Sequence, residues 1–274
     1  MRRPLPVRIA KAVLLVLIAL SVLFPLAWMV ISGFKGQNEV LRDPFQFFPE
    51  VWRVSNYVDI LRDPSFLSAI TVSFAGALIF TALGLAINGM AAYAFARLEF
   101  TGKRFWWIYC IIPMFVPSMA ILLTSFQVVT ALGMLNTWAV LIIPGAASAA
   151  QMFFLRQFYL NFPVAVEEAA LIDGASRWQI FYRVFLPQSI APFVVMGMTA
   201  YLAYWNAYVW PILTIDSSSG LTQIQQFLGG FRQARGNEWG LLMAGSSIAA
   251  LPTIILVLVF QRYIVNGVRI AGMK

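Results

Sequence analysis

Histidine is absent from the 274 residues of the sequence, and cysteine occurs once, at Cys110. One thiol cannot form a disulfide within the chain, and the lack of imidazole excludes His-based metal sites and Ser-His-Asp catalysis. Charged residues are also scarce, since they make up 11% of the sequence against about a quarter in soluble proteins. These shortages exclude most familiar classes of soluble enzyme.

Apolar residues, by contrast, account for 61% of the sequence, and the mean hydropathy is +0.79. They form six runs of about 20 residues, the length at which a helix crosses a hydrocarbon core. A backbone in lipid must satisfy its own hydrogen bonds, and the runs lack the two-residue alternation of a barrel. We therefore predict an all-α fold, a polytopic membrane protein with six transmembrane helices, at residues 9–31, 67–96, 105–128, 137–155, 187–211 and 241–262.

Prolines lie inside most of these runs, and each one removes a helical hydrogen bond. Membrane helices tolerate this loss, so we expect kinked spans. The prolines are Pro25, Pro113, Pro117, Pro144, Pro192 and Pro252. We divide the chain into an N-terminal helix with the first outer loop, residues 1–66, and a core of five helices, residues 67–274, which includes a long loop at 156–186.

Basic residues are unevenly distributed between the two sets of loops. The side that holds both termini has 13 of the 19 Lys and Arg residues and four of the 11 acidic residues, a net charge of +9 against −1 on the other side. By the positive-inside rule, both termini are predicted to be cytoplasmic. The overall charge thus reflects topology, and we expect membrane lipid around the chain and no nucleic-acid partner.

Asp, Glu, Lys and Arg are missing from all six runs away from their ends. Ion-coupled transporters and proton pumps normally place such a residue within the membrane. The chain also lacks the G-x-x-x-x-G-K-[ST] loop that binds nucleotide phosphates, so we expect no nucleotide hydrolysis by this chain. If it takes part in active transport, another subunit supplies the energy.

The loop at 156–186 is long enough to fold on its own account. Pro163 suits the first position of a helix, Glu167 and Glu168 suit its first turns, and Gly174 is placed to end it, so we predict a helix from Pro163 to Ile172. Ser176 is placed to cap a second helix. The helical periodicity leaves two interpretations of the small-residue face around Ala169, either docking to another protein or packing on the chain's own helices.

The same loop carries a motif with fixed spacing. Glu168-Ala169-Ala170, Gly174, Val184 and Leu186-Pro187 reproduce the E-A-A-x3-G-x9-I-x-L-P signature, with Val184 in place of Ile as the one departure. Asp173 and Ala175 extend the match to the common D-G-A form. In these residues the chain resembles permease subunits of ATP-binding-cassette importers, in which this segment is the coupling helix that docks on the ATPase.

The resemblance implies a set of partners and a docking site. The partners are a homologous permease that completes a heterodimer, two ATP-binding-cassette ATPase subunits and an extracytoplasmic sugar-binding protein. This chain would be a non-catalytic subunit without a cofactor, with ATP and Mg in the partner ATPase. The implied ATPase-docking residues are Glu167, Glu168, Ala169, Ala170, Asp173, Gly174, Ala175 and Trp178.

Further segments resemble the carbohydrate-uptake branch of that family, the maltose-type second permease. They are AAYAFARLEFTGKR at 91–104, WNAYVWP at 205–211, MAGSSIAALP at 243–252 and FQRYIVNG at 260–267. Thr71 and Val72 stand where related sequences frequently have Asn-Ser, and the C-terminal tail is shorter than the ending that is frequent in those sequences. The resemblance therefore implies a permease for an oligosaccharide or related carbohydrate without indicating which one. Two alternatives are a permease for another solute, such as glycerol phosphate, and a membrane pore or scaffold that is not coupled to ATP.

Aromatic side chains are concentrated in the fifth predicted span. Tyr201, Trp205 and Tyr208 would share one face of a continuous helix and offer flat apolar surfaces with polar rims, which suits a neutral sugar. The alternative is an interfacial aromatic belt. Asn88, Gln127 and Gln151 either face the pathway or, as we favour, bond neighbouring helices. The candidate pathway residues are Tyr201, Tyr204, Trp205, Asn206 and Tyr208.

The charge distribution predicts which loops an impermeant thiol reagent reaches. In a chain without Cys110, single cysteines at positions 38 and 218 should react in intact cells, and those at 102 and 176 only after permeabilisation. Labelling is measured by mass shift on gels. Reaction of position 176 in intact cells would reverse the predicted orientation.

Overall fold

The structure is a computed structural model that describes residues 5–41, 44–234 and 238–271. Within these ranges every regular element is a helix, as the sequence predicts. In chain order the helices are α1 (Leu5–Ser32), α2 (Ser55–Arg62), α3 (Pro64–Arg97), α4 (Lys103–Ile111), α5 (Leu122–Ala131), α6 (Trp138–Ala146), α7 (Ala149–Leu160), α8 (Val164–Ile172), α9 (Arg177–Ile180), α10 (Leu186–Gln188), α11 (Ile190–Trp205), α12 (Val209–Thr214), α13 (Ile224–Ala234) and α14 (Trp239–Ala271).

Among the described residues, three helices are unbroken and are long and apolar enough to cross a membrane, namely α1, α3 and α14. They coincide with the predicted spans at 9–31, 67–96 and 241–262. With 28, 34 and 33 residues, each exceeds the roughly 20 residues that a hydrocarbon core of about 30 Å requires.

The predicted span at 137–155 is a bent pair of helices, since α6 and α7 meet there at an angle of 44°. A second bent pair joins the stretch Arg177–Gln188, most of which lies in the loop predicted at 156–186, to α11 at an angle of 81°. The part of the chain that the structure describes thus has three candidate spans, or up to five if each bent pair counts as one. The expectation of kinked spans is confirmed.

The predicted span at 105–128 is not one helix. α4 ends at Ile111, a 3₁₀ turn follows at Ile112–Phe115, and the chain becomes helical again only at Leu122. Pro113 and Pro117 lie in this interruption, where each lacks the N–H that a helix needs and crowds the preceding turn. The prediction of one continuous helix across this apolar run is therefore wrong.

Contacts between residues divide the chain into two units. The first unit comprises Met1–Ile70 with Gln226–Pro252, and its core contains Ile60 and Phe66, both fully buried. Gly245 lies close to both side chains, since a Cβ at this position would be 3.3 Å from Ile60 and 3.4 Å from Phe66.

The second unit comprises Thr71–Gln225 with Thr253–Lys274. Its core is a set of buried aromatic and aliphatic side chains contributed by α3, α7, α9 and the segments that follow α7 and α9. The buried members are Ala92, Tyr93, Phe95, Met152, Leu155, Tyr159, Phe162, Ile180, Phe181 and Phe185. Half of these residues belong to the loop at 156–186, which is therefore part of this core.

Asn88, which is 3% exposed, bridges the break between α6 and α7. Its amide nitrogen donates to the carbonyl oxygen of Ala146 at 2.9 Å and to Oε1 of Gln151 at 3.2 Å, and its Oδ1 accepts from the backbone N–H of Ser148 at 2.9 Å. These bonds satisfy backbone groups that the bend leaves without helical partners. The interpretation that Asn88 and Gln151 bond neighbouring helices is confirmed.

Replacing Asn88 with Leu should destabilise the protein, because Ala146 and Ser148 would then hold unpaired backbone groups in an apolar setting. We expect a loss of about 1–3 kcal/mol, read as a lower unfolding temperature of the purified protein in detergent. The control is Thr199→Val, which removes a local bond from an exposed hydroxyl to the carbonyl of Met196. Equal unfolding temperatures in the two variants would contradict a bridging role for Asn88.

Candidate functional site

The helix predicted at Pro163–Ile172 is α8, which begins one residue later, at Val164. Pro163 lies just outside its first turn with an extended backbone, and Glu167 lies within that turn. Asp173 ends the helix, and Gly174 follows at φ +80°. Glycine is common where the backbone turns left-handed after a helix, because a residue with a Cβ is strained in that conformation.

A capping box begins the second helix of the loop. The hydroxyl of Ser176 accepts from the backbone N–H of Gln179 at 3.3 Å, and the side chain of Gln179 accepts from the N–H of Ser176 at 2.7 Å. The predicted cap at Ser176 is confirmed. Beyond α9 the chain widens into a π-helical turn at Phe181–Phe185, which carries two buried aromatic rings into the core.

Glu167 is buried, at 5% exposure, and lies between two arginines. Its carboxylate is 2.5 Å from Nη1 of Arg177 and 3.7 Å from Nε of Arg97. Arg97, the last residue of α3, also donates to the carbonyl oxygens of Tyr159, at 2.7 Å, and of Phe162. The end of α3 is thus tied to the end of α7 and to the first turn of α8.

An apolar floor adds to this polar anchor. Ala170 and Ala175 are partly buried and pack against the core of the second unit. The ring of Tyr93 lies 5.0 Å from that of Phe185 and 5.3 Å from that of Phe181. The loop is therefore fixed to the helical core by packing as well as by charge.

The opposite face of the loop is uncovered by the chain. Ala169 and Gly174 are exposed, Ile172 is 85% exposed and Trp178 is 59% exposed. Among the eight predicted docking residues, one is buried (Glu167), two are partly buried (Ala170 and Ala175), and five are exposed: Glu168, Ala169, Asp173, Gly174 and Trp178.

The candidate pathway residues fall into two groups. Tyr201, Tyr204 and Trp205 lie on α11 and are 2–4% exposed, whereas Asn206 and Tyr208 lie beyond its end and are exposed. The rings of Tyr201 and Trp205 stack at 5.7 Å with an interplanar angle of 10°. Because α11 ends at Trp205, the prediction that Tyr208 shares a helix face with Tyr201 and Trp205 is wrong.

Tyr204 and Tyr201 have different surroundings. The Tyr204 ring lies 5.3 Å from that of Phe80, and its hydroxyl occupies the space beside Gly76, where a Cβ would come within 2.0 Å. Tyr201 lines an apolar groove of about 620 Å³ together with Leu78, Phe193 and Met198. Among the five candidates, Tyr201 is thus the one that lines this groove.

Arg97 and Arg177 are the two charge partners of Glu167 that the sequence did not single out. Arg97 belongs to the segment AAYAFARLEFTGKR, and a cation at the end of a long apolar helix is ordinary. Its pairing with Glu167 joins residues 70 positions apart, so only the folded chain brings the two side chains together.

The profile of one family, described as "Binding-protein-dependent transport system inner membrane component", matches residues 84–270, well over half of the chain. The chain belongs to this family. The matched region includes α7 to α12 and therefore the whole of the loop at 156–186.

Individual relatives are similar over nearly the full length. The chain is 32% identical over 268 residues to a probable ABC transporter permease protein of Bacillus subtilis, YurM, covering 96% of this chain and 87% of YurM. It is 29% identical over 286 residues to the trehalose/maltose transport system permease protein MalG of Thermococcus litoralis, covering 100% and 99%. A chain of a bacterial ABC transporter that imports the acidic polysaccharide alginate has the same fold, with a TM-score of 0.80 at 20% identity over 96% and 99% of the two chains.

Glu167→Ala should destabilise the protein far more than Glu168→Ala. Removing the buried carboxylate leaves Arg97 without its charge partner, which costs about 3–5 kcal/mol. The neighbouring Glu168 is exposed, and its removal should stay within about 0.5 kcal/mol. Unfolding temperatures of both variants in detergent measure the difference. Equal temperatures would contradict the anchoring role of Glu167.

Proposed function

We propose that this chain is the permease subunit of an ATP-driven, binding-protein-dependent importer of oligosaccharides or related carbohydrates. Membership of the family supports the dependence on a binding protein. Similarity to the trehalose/maltose permease over the full chain supports the substrate class. The chain itself is non-catalytic in this proposal, and ATP and Mg bind to a partner ATPase.

The observation that carries the proposal is the shape of the loop at 156–186. One face is anchored through Glu167 and Arg97, and the other presents Glu168, Ala169 and Gly174 uncovered. Small side chains let a partner approach the helix backbone closely, and Ile172, at 85% exposure, offers an apolar contact that costs free energy in water until it is covered. An ATPase subunit fits this surface.

The anchor also suggests how motion passes through the chain. A pull on α8 acts on Glu167, then on Arg97, and so on the end of α3, a helix of 34 residues that crosses the membrane. Since the same arginine binds the carbonyls of Tyr159, in the last turn of α7, and of Phe162, just beyond it, two membrane segments receive the displacement together. Closure of two ATPase subunits would in this way rock the helices between inward-open and outward-open states.

The pathway is proposed to run between this chain and a homologous permease. Tyr201, whose ring stacks on that of Trp205, lines an apolar groove, and aromatic rings suit the flat faces of sugar rings. An extracytoplasmic binding protein delivers the sugar on the side opposite the loop at 156–186. Both termini are then cytoplasmic, in the plasma membrane of a bacterium or archaeon.

Gly174→Val should abolish sugar uptake in membrane vesicles and reduce ATPase recruitment. Valine at φ +80° costs about 1–3 kcal/mol of backbone strain and places a side chain on the proposed docking face. Gly133→Val is the matched control, because Gly133 has φ +67° and, like Gly174, has no atom within 4 Å of an added Cβ.

Both glycine variants should lose similar stability, and the Gly133 variant should keep transport in proportion to its membrane level. A third variant, Glu168→Lys, should also lose ATPase recruitment with little change in stability, since it reverses an exposed charge. Normal recruitment of a P-loop ATPase and normal uptake by both loop variants would overturn the proposed docking site.

A further inference from the structure

The segment Pro44–Val54, between α1 and α2, is rich in aromatic residues and is not helical. Its sequence is PFQFFPEVWRV. Large apolar side chains along it are exposed, with Phe45 at 60%, Phe48 at 62% and Val51 at 64%. A connection outside the spanning helices would ordinarily expose polar residues, so this surface calls for a partner.

The segment packs on the last turns of α1. The ring of Phe45 lies 4.6 Å from that of Trp28, and the ring of Phe47 lies 5.7 Å from that of Phe24 and 5.9 Å from that of Trp28. Phe48 continues the cluster, with its ring 5.1 Å from that of Phe47. The exposed rings are therefore continuous with the surface of a membrane-spanning helix.

Two connections hold the segment in this position. Lys35 is 1% exposed, its ammonium lies 4.0 Å from the centre of the Trp28 ring, and it donates to the carbonyl oxygen of Gln46. Nearer the other end, the N–H of Arg53 donates to the carbonyl of Phe34 at 2.9 Å. The segment is thus fixed along α1 rather than projecting from it.

The depth of the cluster follows from the length of α1. Lys11 is its last charged residue, and the remaining stretch to Ser32 is uncharged, with a length of about 30 Å, which matches the hydrocarbon core. Ser32 then lies at the boundary of that core. Trp28 and Phe24 lie four and eight residues before it, about 6 and 12 Å inside the boundary at 1.5 Å per residue. Rings that touch them reach below the headgroups.

We propose that Pro44–Val54 is a membrane-interface anchor whose partner is the lipid bilayer. Phe45, Phe47 and Phe48 insert at the junction of headgroups and acyl chains, where aromatic rings concentrate in membrane proteins. The backbone stays at headgroup level, because a non-helical segment needs water or headgroups for its unpaired polar groups. The anchor fixes the tilt and depth of α1, whose spanning window is otherwise not buried against the chain.

Spin labels on the full chain test this proposal. The chain is purified with the subunits that accompany it and is placed in nanodiscs of phosphatidylcholine and phosphatidylglycerol. In a Cys110→Ala background, labels at Phe48→Cys and Val51→Cys are compared with Leu20→Cys on α1 and Ser218→Cys in an exposed turn. Relaxation by oxygen reports lipid, and relaxation by a water-soluble nickel chelate reports solvent. All four positions are exposed, so substitution should preserve the fold.

At positions 48 and 51 we expect oxygen to relax the spin label more strongly than the nickel chelate does, as at Leu20. At Ser218 we expect the nickel chelate to be the stronger relaxant. The nickel chelate as the stronger relaxant at positions 48 and 51 would overturn the proposal, since the segment would then lie in water. Protection from both reagents would also overturn it, because a protein partner would then cover the surface.

Discussion

In hydrocarbon, every backbone N–H and C=O must find a partner within the protein, and an unpaired group costs several kcal/mol. This constraint accounts for where the chain is a continuous helix and where side chains must intervene. α1, α3 and α14 satisfy it with helical bonds alone along most of their length. At the bend between α6 and α7 the helical bonds fail, and Asn88 supplies both a donor and an acceptor in their place.

Buried charged groups also need partners within the protein. The buried charged side chain in the loop at 156–186 is Glu167, and it is paired on both sides, with Arg177 and with Arg97. Arg97 also donates to the carbonyl oxygens of Tyr159, in the last turn of α7, and of Phe162, just beyond that helix. One arginine therefore pairs with a buried carboxylate and binds two carbonyls at the end of α7. It links the end of α3 to α7 and to the loop at 156–186.

The sequence predicted the features that depend on local chemistry. Gly174 after α8, the cap at Ser176 and the helix at 163–172 follow from the preferences of single residues, and the structure has each of them within one residue. The six apolar runs predicted composition well but continuity less well, because Pro113 and Pro117 interrupt a run whose hydropathy is uniform. The prediction that Tyr201 and Tyr208 share a helix face was wrong for a similar reason, because the helix ends at Trp205. The Arg97–Glu167 pair could not be predicted from the sequence, because no local pattern relates residues 70 positions apart.

The loop at 156–186 is held in shape by contacts within its own chain. Residues of the chain itself form the capping box, the turn at Gly174 and the ion pairs of the buried carboxylate. A surface that is already ordered has little conformational entropy left to lose when a partner arrives, so more of the contact energy appears as affinity.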